Sequence, residues 1–227
     1  MKIIFVRHGH PNYVDDCLTE LGHTQAEAAA ERLKQEKIDA FYSSSCGRAY
    51  ETAVHIANRH GKEVVKLDFM REIQWGPKGG QPHADYNPWA KVSEMVECGM
   101  PVMDSDWEDN ELMKDNFVSE RIRLVGDNFD KWLSQLGYER EGDYYRVKRV
   151  NQSCILLASH GGSSSSVFAR IFNIPFPCIA ANFRIDFTGI TEVHFENKIG
   201  VLISPKIALF NDSRHLNNID TDNKFDM

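Results

Sequence analysis

Two short apolar runs, each ending on a His-Gly step, constrain the fold of this chain more than any other sequence feature. Residues 2–6 lead into Arg7-His8-Gly9, and residues 153–158 lead into Ser159-His160-Gly161-Gly162. Short apolar runs that stop at glycine are typical of buried strands. Ligands of open α/β sheets bind beyond the carboxyl ends of the strands. The sequence therefore predicts that His8 and His160 face one crevice.

The segments between the two runs alternate between helix and strand patterns. A helix is predicted to begin at Thr19 and end near Glu36, with apolar residues on one face, and a second to cover about residues 47–59. Residues 38–42 and 64–67 are predicted strands, which gives the order β-α-β-α-β. We predict an α/β fold, a three-layer sandwich with a mostly parallel central sheet and helices on both faces.

The C-terminal half is predicted to add two helices and a hairpin. Helical spacing covers residues 117–136, and another helix follows the second histidine over about residues 164–172. Residues 191–195 and 200–204 are apolar runs separated by a turn, so we predict an antiparallel hairpin. The polar tail from Asn217 is expected to fray.

The composition excludes several function classes. The 26 Lys and Arg against 33 Asp and Glu give a net charge of −7, whereas nucleic-acid binding depends mainly on Lys and Arg. No apolar stretch approaches the ~18 residues that cross a bilayer, and the run before Arg7 is too short for a signal peptide. The five cysteines form no CxxC pair, which favours reduced thiols. We therefore expect a cytoplasmic protein with no nucleic-acid or membrane partner.

Cations at the same predicted sheet edge indicate an anion site. Arg7 precedes the first histidine, Arg48 follows the second predicted strand, and the glycines after His160 place backbone N–H groups at a helix N-terminus. A single histidine at a strand end is more often structural, and a single arginine after a strand is usually solvated. Their joint placement in an acidic chain favours a pocket selective for a phosphoryl group.

Six segments form an ordered set of motifs along nearly the whole chain. They are RHG at residues 7–9, LTELGHTQA at 18–26, SSCGRAYETA at 44–53, Glu72 with Gly76, SHGG at 159–162 and NDSRHL at 211–216. This set resembles the histidine phosphatase superfamily, which includes the cofactor-dependent phosphoglycerate mutases, and the last segment is similar to one found in phosphatase members. The resemblance implies a phosphoglycerate mutase-like fold.

The resemblance also implies roles for individual residues. It assigns catalysis to His8, Glu72 and His160. His8 would attack phosphorus as a neutral imidazole and form a phosphohistidine, while Arg7, Arg48 and His160 would bind the phosphoryl oxygens. Glu72 would protonate the leaving oxygen and then activate water. Without the resemblance, Glu72 reads as a surface carboxylate after a strand.

Two positions depart from the family pattern. Val14 stands where the family often has asparagine, so Asn12 is expected to supply that phosphate contact alongside the backbone of Gly161. His10 stands where the family often has Glu or Gln, and it forms a His-x-His pair with His8 that is able to ligate a metal. Since no acidic or cysteine partner lies at ligand spacing, we expect no metal and no cofactor.

We expect one domain over residues 1–227, with an insert at about residues 77–137 that caps the active site. The interval between Glu72 and His160 is rich in aromatic residues and is expected to select the substrate. These side chains either wall a pocket or pack as a small core, and both alternatives stay open: Trp75, His83, Tyr86, Trp89 and Trp107. The sequence does not determine the oligomeric state, and a homodimer stays open.

These features favour hydrolysis of a small phosphorylated metabolite. A phosphoglycerate mutase shares the first step, but the NDxxHL-like segment, the lack of a longer tail and the lack of a second-acid run in residues 73–83 favour water as the acceptor. A non-catalytic phospho-ligand-binding protein is the second alternative, which the complete set of catalytic residues disfavours. A serine hydrolase ranks low because no G-x-S-x-G elbow occurs.

Overall fold

The computed structural model of the protein describes residues 1–217 and residue 219. The strands are β1 (Lys2–Arg7), β2 (Pro11–Asn12), β3 (Cys17–Leu18), β4 (Ala40–Ser44), β5 (Val64–Leu67), β6 (Tyr138–Glu141), β7 (Tyr144–Val147), β8 (Cys154–Ser159), β9 (Ile190–His194), β10 (Leu202–Ile203) and β11 (Lys206–Asp212). The helices are α1 (Glu20–Leu33), α2 (Gly47–Asn58), α3 (Pro88–Glu97), α4 (Val118–Gln135), α5 (Gly161–Phe172) and α6 (Phe176–Asn182).

The central sheet has six strands in the order β11-β9-β1-β8-β4-β5. Strands β1, β8, β4 and β5 pair in parallel, with Ile3 opposite Ile155 and Tyr42 opposite Leu157. Strand β9 runs antiparallel to both β1 and β11. The prediction of a mostly parallel sheet is confirmed.

The sheet carries a separate hydrophobic core on each face. Because successive side chains of a strand point to opposite faces, Ile3 and Phe5 enter a core shared with α4, α5 and α6. Ile4 and Val6 enter a second core shared with α1 and α2. Two cores on one sheet make three layers, so the predicted sandwich is also confirmed.

Part of the segment predicted as an insert is helical and joins the larger core. Helix α3 begins at Pro88, and the side chain of Asn87 accepts hydrogen bonds from the backbone of Trp89 and Ala90. Proline at the first helical position starts a helix rather than breaking one. Helix α3 was not predicted from the sequence, which gave this segment only as part of an insert.

The predicted C-terminal hairpin is wrong. Strand β9 pairs with β1 and β11, whereas Leu202 of β10 pairs with Arg146 of β7 in a small sheet of order β10-β7-β6. Ile190 and Val193 are fully buried and Leu202 is exposed, so the two runs belong to different environments. The hairpin was predicted because the two runs are adjacent in sequence, but the first run is buried within the main sheet and pairs there instead. The predicted fraying of the tail falls mostly on residues outside the described part of the chain.

The strand order brings three carboxyl ends together at the centre of the sheet. Arg7 of β1 lies opposite Ser159 of β8, and Ser43 of β4 lies opposite Ala158. The residues that follow these strands therefore enter one crevice. None of the described helices is both long enough and apolar enough to cross a membrane.

Candidate active site

His8 lies directly beyond β1 and is almost fully buried. Its Nδ1 donates to the carbonyl of Gly9 at 2.7 Å, and its Nε2 accepts from Nε of Arg48 at 3.3 Å. Burial, followed by the charges of Arg7 and Arg48, holds the pKa of His8 well below its ordinary value. The ring is therefore neutral near pH 7, with its lone pair on Nε2. A neutral imidazole held in this way is suited to nucleophilic attack.

Arg7 ends β1 and is held by the segment that precedes β9. Its Nη1 donates to the carbonyl of Ile185 at 2.7 Å, and its Cζ lies 4.1 Å from the centre of the Phe187 ring. The backbone of Thr188 donates to the carbonyl of Arg7 at 3.0 Å. Arg7 is 4% exposed, and this enclosure fixes one guanidinium at the crevice.

Arg48 enters the same crevice from the first turn of α2. It donates to His8 through Nε and to the carboxylate of Asp16 through Nη1. Asp16 also accepts a hydrogen bond of 2.8 Å from the backbone of Gly47, so one carboxylate fixes both the helix start and the arginine. Asp16 was not predicted from the sequence, because a single acidic residue in a loop carries no periodic signal.

His160 lies beyond β8 and is fully buried, with its ring centre 5.1 Å from that of His8. Its Nε2 shares a hydrogen bond of 2.8 Å with the hydroxyl of Ser44, and its Nδ1 has no hydrogen-bond partner among the described residues. Burial and then the neighbouring His8 and Arg48 hold the pKa of His160 well below its ordinary value. The two histidines thus form a neutral pair between two arginines.

Glu72 lies at the N-terminus of α5. Its carboxylate accepts hydrogen bonds from the backbone of Gly162 at 3.3 Å and of Ser163 at 3.0 Å. A Cβ at position 162 would approach the Glu72 carboxylate to 2.5 Å, so glycine is required for this contact. Burial raises the pKa of Glu72 and outweighs the hydrogen bonds and arginines, which lower it. A carboxyl group with a raised pKa is suited to proton transfer.

These groups border a cavity of about 970 Å³. Arg7, Arg48, Glu72 and Gly161 line it, and the buried His8 contacts the lining residue Arg48. A Cβ at Gly161 would lie 3.8 Å from Nε of Arg7, so the start of α5 is close to that guanidinium. The arrangement presents positive charge and a helix N-terminus to an anion.

Asn12 and His10 are not among the residues that line the cavity. The amide oxygen of Asn12 accepts from the backbone of Val14 at 3.0 Å, and its nitrogen donates to Asp15 at 2.8 Å. These hydrogen bonds hold the Asn12 side chain within its own turn, and the phosphate contact expected of Asn12 stays a prediction. Tyr13 lines the cavity in its place. Within the described residues, no group of three or more side chains could hold a metal.

The aromatic residues that were predicted either to wall the pocket or to pack divide between these roles. Trp75 and Trp89 line the cavity, with ring centres 5.7 Å apart. Trp107 is buried, and its ring lies 6.1 Å from Phe176. His83 lines a separate cavity of about 270 Å³. The first two are therefore the ones able to contact a substrate.

The NDSRHL segment at residues 211–216 supports the loop that holds Arg7. The side chain of Asn211 accepts from the backbone of Asp186 at 2.8 Å, and the hydroxyl of Ser213 donates to the Asp186 carboxylate at 3.2 Å. Nε2 of His215 shares a hydrogen bond of 3.0 Å with the hydroxyl of Thr188. Thr188 has a positive φ of 53°, a costly conformation for a β-branched residue. The motif thus stabilises a strained loop beside the site.

We expect His215 to make stability depend on pH. Burial lowers its pKa from 6.5 to about 4, so protonation favours the unfolded chain. The stability that it contributes is complete above about pH 6.5 and is lost as the pH falls toward 4. Between pH 7 and 4, the wild type should lose about 3 kcal/mol more unfolding free energy than His215→Gln, which keeps a polar group near Thr188 but does not titrate. Urea unfolding at each pH measures this difference, and parallel pH curves for the two proteins would contradict it.

Comparison with known proteins agrees with this geometry. Residues 3–206 match the sequence model of the histidine phosphatase superfamily (branch 1). A glucosyl-3-phosphoglycerate phosphatase of Mycobacterium tuberculosis is 39% identical over 77% of this chain and 76% of its own length. A putative phosphoserine phosphatase 2 of Hydrogenobacter thermophilus is 25% identical over 89% of this chain and 93% of its own.

Solved structures show the same fold. A phosphoserine phosphatase of Entamoeba histolytica, in a complex of a mutant with phosphoserine, superposes with a TM-score of 0.61. The superposition covers 95% of this chain and 98% of the other, at 23% sequence identity.

Proposed function

This chain belongs to the histidine phosphatase superfamily, and on that premise we propose that it hydrolyses small phosphomonoesters through a phosphohistidine on His8. The observation that carries the proposal is the state of His8. Its ring is neutral, its Nδ1 proton is committed to Gly9, and its nucleophilic Nε2 contacts Arg48. Attack by Nε2 forms the N–P bond beside the guanidinium groups of Arg7 and Arg48, which are already held in position.

In the first step, the N–P bond forms as the bond between phosphorus and the leaving oxygen breaks. Arg7 and Arg48 neutralise the oxygens of the transferring group. Nδ1 of His160 binds one of these oxygens, because it is the ring nitrogen that has no hydrogen-bond partner among the described residues. The backbone N–H of Gly161 adds a donor at the start of α5. Glu72, whose raised pKa favours its protonated form, gives its proton to the leaving oxygen.

In the second step, water attacks phosphorus and the electron pair of the N–P bond returns to Nε2 of His8. Glu72, now a carboxylate, takes the proton of the water. Inorganic phosphate leaves and the neutral imidazole is restored. No metal enters either step, because guanidinium groups and a helix N-terminus stabilise the charge.

The relatives support a small phosphorylated metabolite as the substrate, since their names give phosphoserine and glucosyl-3-phosphoglycerate. The wall of the cavity supports the proposal that residues 77–137 cap the site, because Trp89 of α3 and Arg121 and Leu124 of α4 contribute to it. The five free thiols support a cytoplasmic location.

The proposal is tested by phosphate release from p-nitrophenyl phosphate in excess chelator. We expect turnover to be unaffected by the chelator, because the charge on the phosphoryl group is met by arginine. A parallel reaction with 3-phosphoglycerate and a bisphosphate primer should release inorganic phosphate. Formation of 2-phosphoglycerate instead would indicate a mutase, and loss of all activity in chelator would overturn the mechanism.

A further inference from the structure

The cavity has two cations that the phosphoryl site does not use. Arg71 precedes Glu72, and Arg121 lies in the first turns of α4, yet both line the same cavity as Arg7 and Arg48. Both side chains belong to exposed residues, so a ligand in the cavity can reach them. The four lining arginines outnumber the three lining carboxylates, Asp16, Asp68 and Glu72.

Among the described residues, Arg71 and Arg121 have no carboxylate partner. Arg71 donates to the hydroxyl of Ser45 at 3.3 Å, and the guanidinium of Arg121 lies 5.5 Å from the centre of the Phe117 ring. Neither has an Asp or Glu oxygen within 4 Å in the described part of the chain. By contrast, Arg123, two residues further along α4, pairs with Glu108. In a protein with net charge −7, two cations without acidic partners on a concave wall are available to a ligand.

The direction of the chemistry places these two arginines on the leaving-group side. Glu72 must contact the leaving oxygen, so the rest of the substrate extends past Glu72 into the cavity. Arg71 is the residue immediately before Glu72, and Trp75 and Trp89 line the same space. About 970 Å³ lies at the upper end of the range for small-molecule sites and holds far more than one phosphoryl group.

We propose that Arg71 and Arg121 bind a second anionic group of the substrate, a carboxylate or a second phosphate, while the reacting phosphoryl group lies at His8. Guanidinium is suited to both anions because it donates two parallel hydrogen bonds. The substrate class is thus a phosphomonoester with a second anion, and Trp75 and Trp89 contact its carbon skeleton. This inference rests on the proposed hydrolysis, which determines the end of the substrate that reacts at His8.

The test compares substrates that differ only in the second anion. O-phosphoserine is compared with O-phosphoethanolamine, which lacks the carboxylate, and fructose 1,6-bisphosphate with fructose 6-phosphate, which lacks one phosphate. In at least one pair, the wild type should show a higher kcat/KM for the substrate that carries the second anionic group. The pair that shows this preference identifies whether that group is a carboxylate or a phosphate. In Arg71→Gln and Arg121→Gln, that ratio should fall about tenfold or more, mainly through KM.

Arg123→Gln is the matched control on α4, because its partner is Glu108 and it does not line the cavity. It should keep the wild-type ratio. A ratio near one in the wild type for both pairs, or a ratio that the Arg71 and Arg121 variants leave unchanged, overturns the inference. Hydrolysis of p-nitrophenyl phosphate is measured for the same proteins. If it persists while the second-anion preference is absent, only the inference has failed. If it is absent, the proposed phosphatase function has failed.

Discussion

His8→Ala is expected to lower kcat for p-nitrophenyl phosphate by about 10⁴-fold or more. Nε2 of His8 carries the lone pair of the ring and accepts a hydrogen bond from Arg48. The ring of the buried His160 lies 5.1 Å from that of His8. Alanine removes this nucleophile and leaves Arg7 and Arg48 in place, so the substrate still binds but no covalent intermediate forms. Residual activity should therefore come with a KM close to that of the wild type.

Trapping the intermediate separates this explanation from a loss of folding. The wild type, mixed with a ³²P-labelled substrate and quenched in alkali, should carry label on a histidine, and His8→Ala should carry none. His10→Ala is the matched control, because its Nδ1 bonds to Thr19 at 2.9 Å and it does not line the cavity. Label on His8→Ala, or a loss of labelling in His10→Ala with intact His8, would refute the assignment.

The lowered pKa of His8 adds a pH signature to this prediction. The acid limb of kcat/KM reports the free enzyme, in which His8 must be neutral to attack. Since burial and two arginines hold its pKa well below the ordinary value, activity should persist below pH 6.5 before this limb is reached.

The residues with strong local signals were predictable from the sequence. The apolar runs of β1 and β8 and the glycines after them predicted where His8 and His160 lie, because buried strands and their ends are encoded in a few adjacent residues. Arg48 followed from its place after β4. The structure brings these three residues within contact of one another or of the same cavity.

Contacts between distant segments were not predictable. Phe187 packs on Arg7 and Asp16 binds Arg48, but neither loop shows a periodicity that would indicate its partner. The pairing of β9 with β1 depends on which apolar run is buried, which one sequence does not reveal. The proton-transfer role of Glu72 came only from the family resemblance, since a carboxylate after a strand is usually exposed. Its contact with the N-terminus of α5 was not predicted.

Glu72→Gln is expected to separate substrates by their leaving groups. Glutamine has the size of glutamate, and its amide oxygen can keep the hydrogen bond from the backbone of Ser163. The bond from Gly162 is lost, because the carboxylate receives these two bonds on different oxygens. Glutamine cannot donate the proton that an alkoxide leaving group needs. For alkyl phosphates kcat should fall about 10²- to 10⁴-fold. For p-nitrophenyl phosphate, whose leaving group is a stable anion, the rate of the first step should fall far less.

The control for this prediction is Asp68→Asn, a second carboxyl group on the wall of the same cavity. Asp68→Asn should lower kcat for both classes of substrate to a similar, small extent, because among the described residues Glu72, and not Asp68, is the carboxyl group hydrogen-bonded to the start of α5. A kcat/KM limb on the basic side, set by the raised pKa of Glu72, should also disappear in Glu72→Gln and remain in Asp68→Asn. Equal losses for alkyl and aryl phosphates in Glu72→Gln would remove Glu72 from proton transfer. A dependence on the leaving group in Asp68→Asn alone would move the acid to that residue.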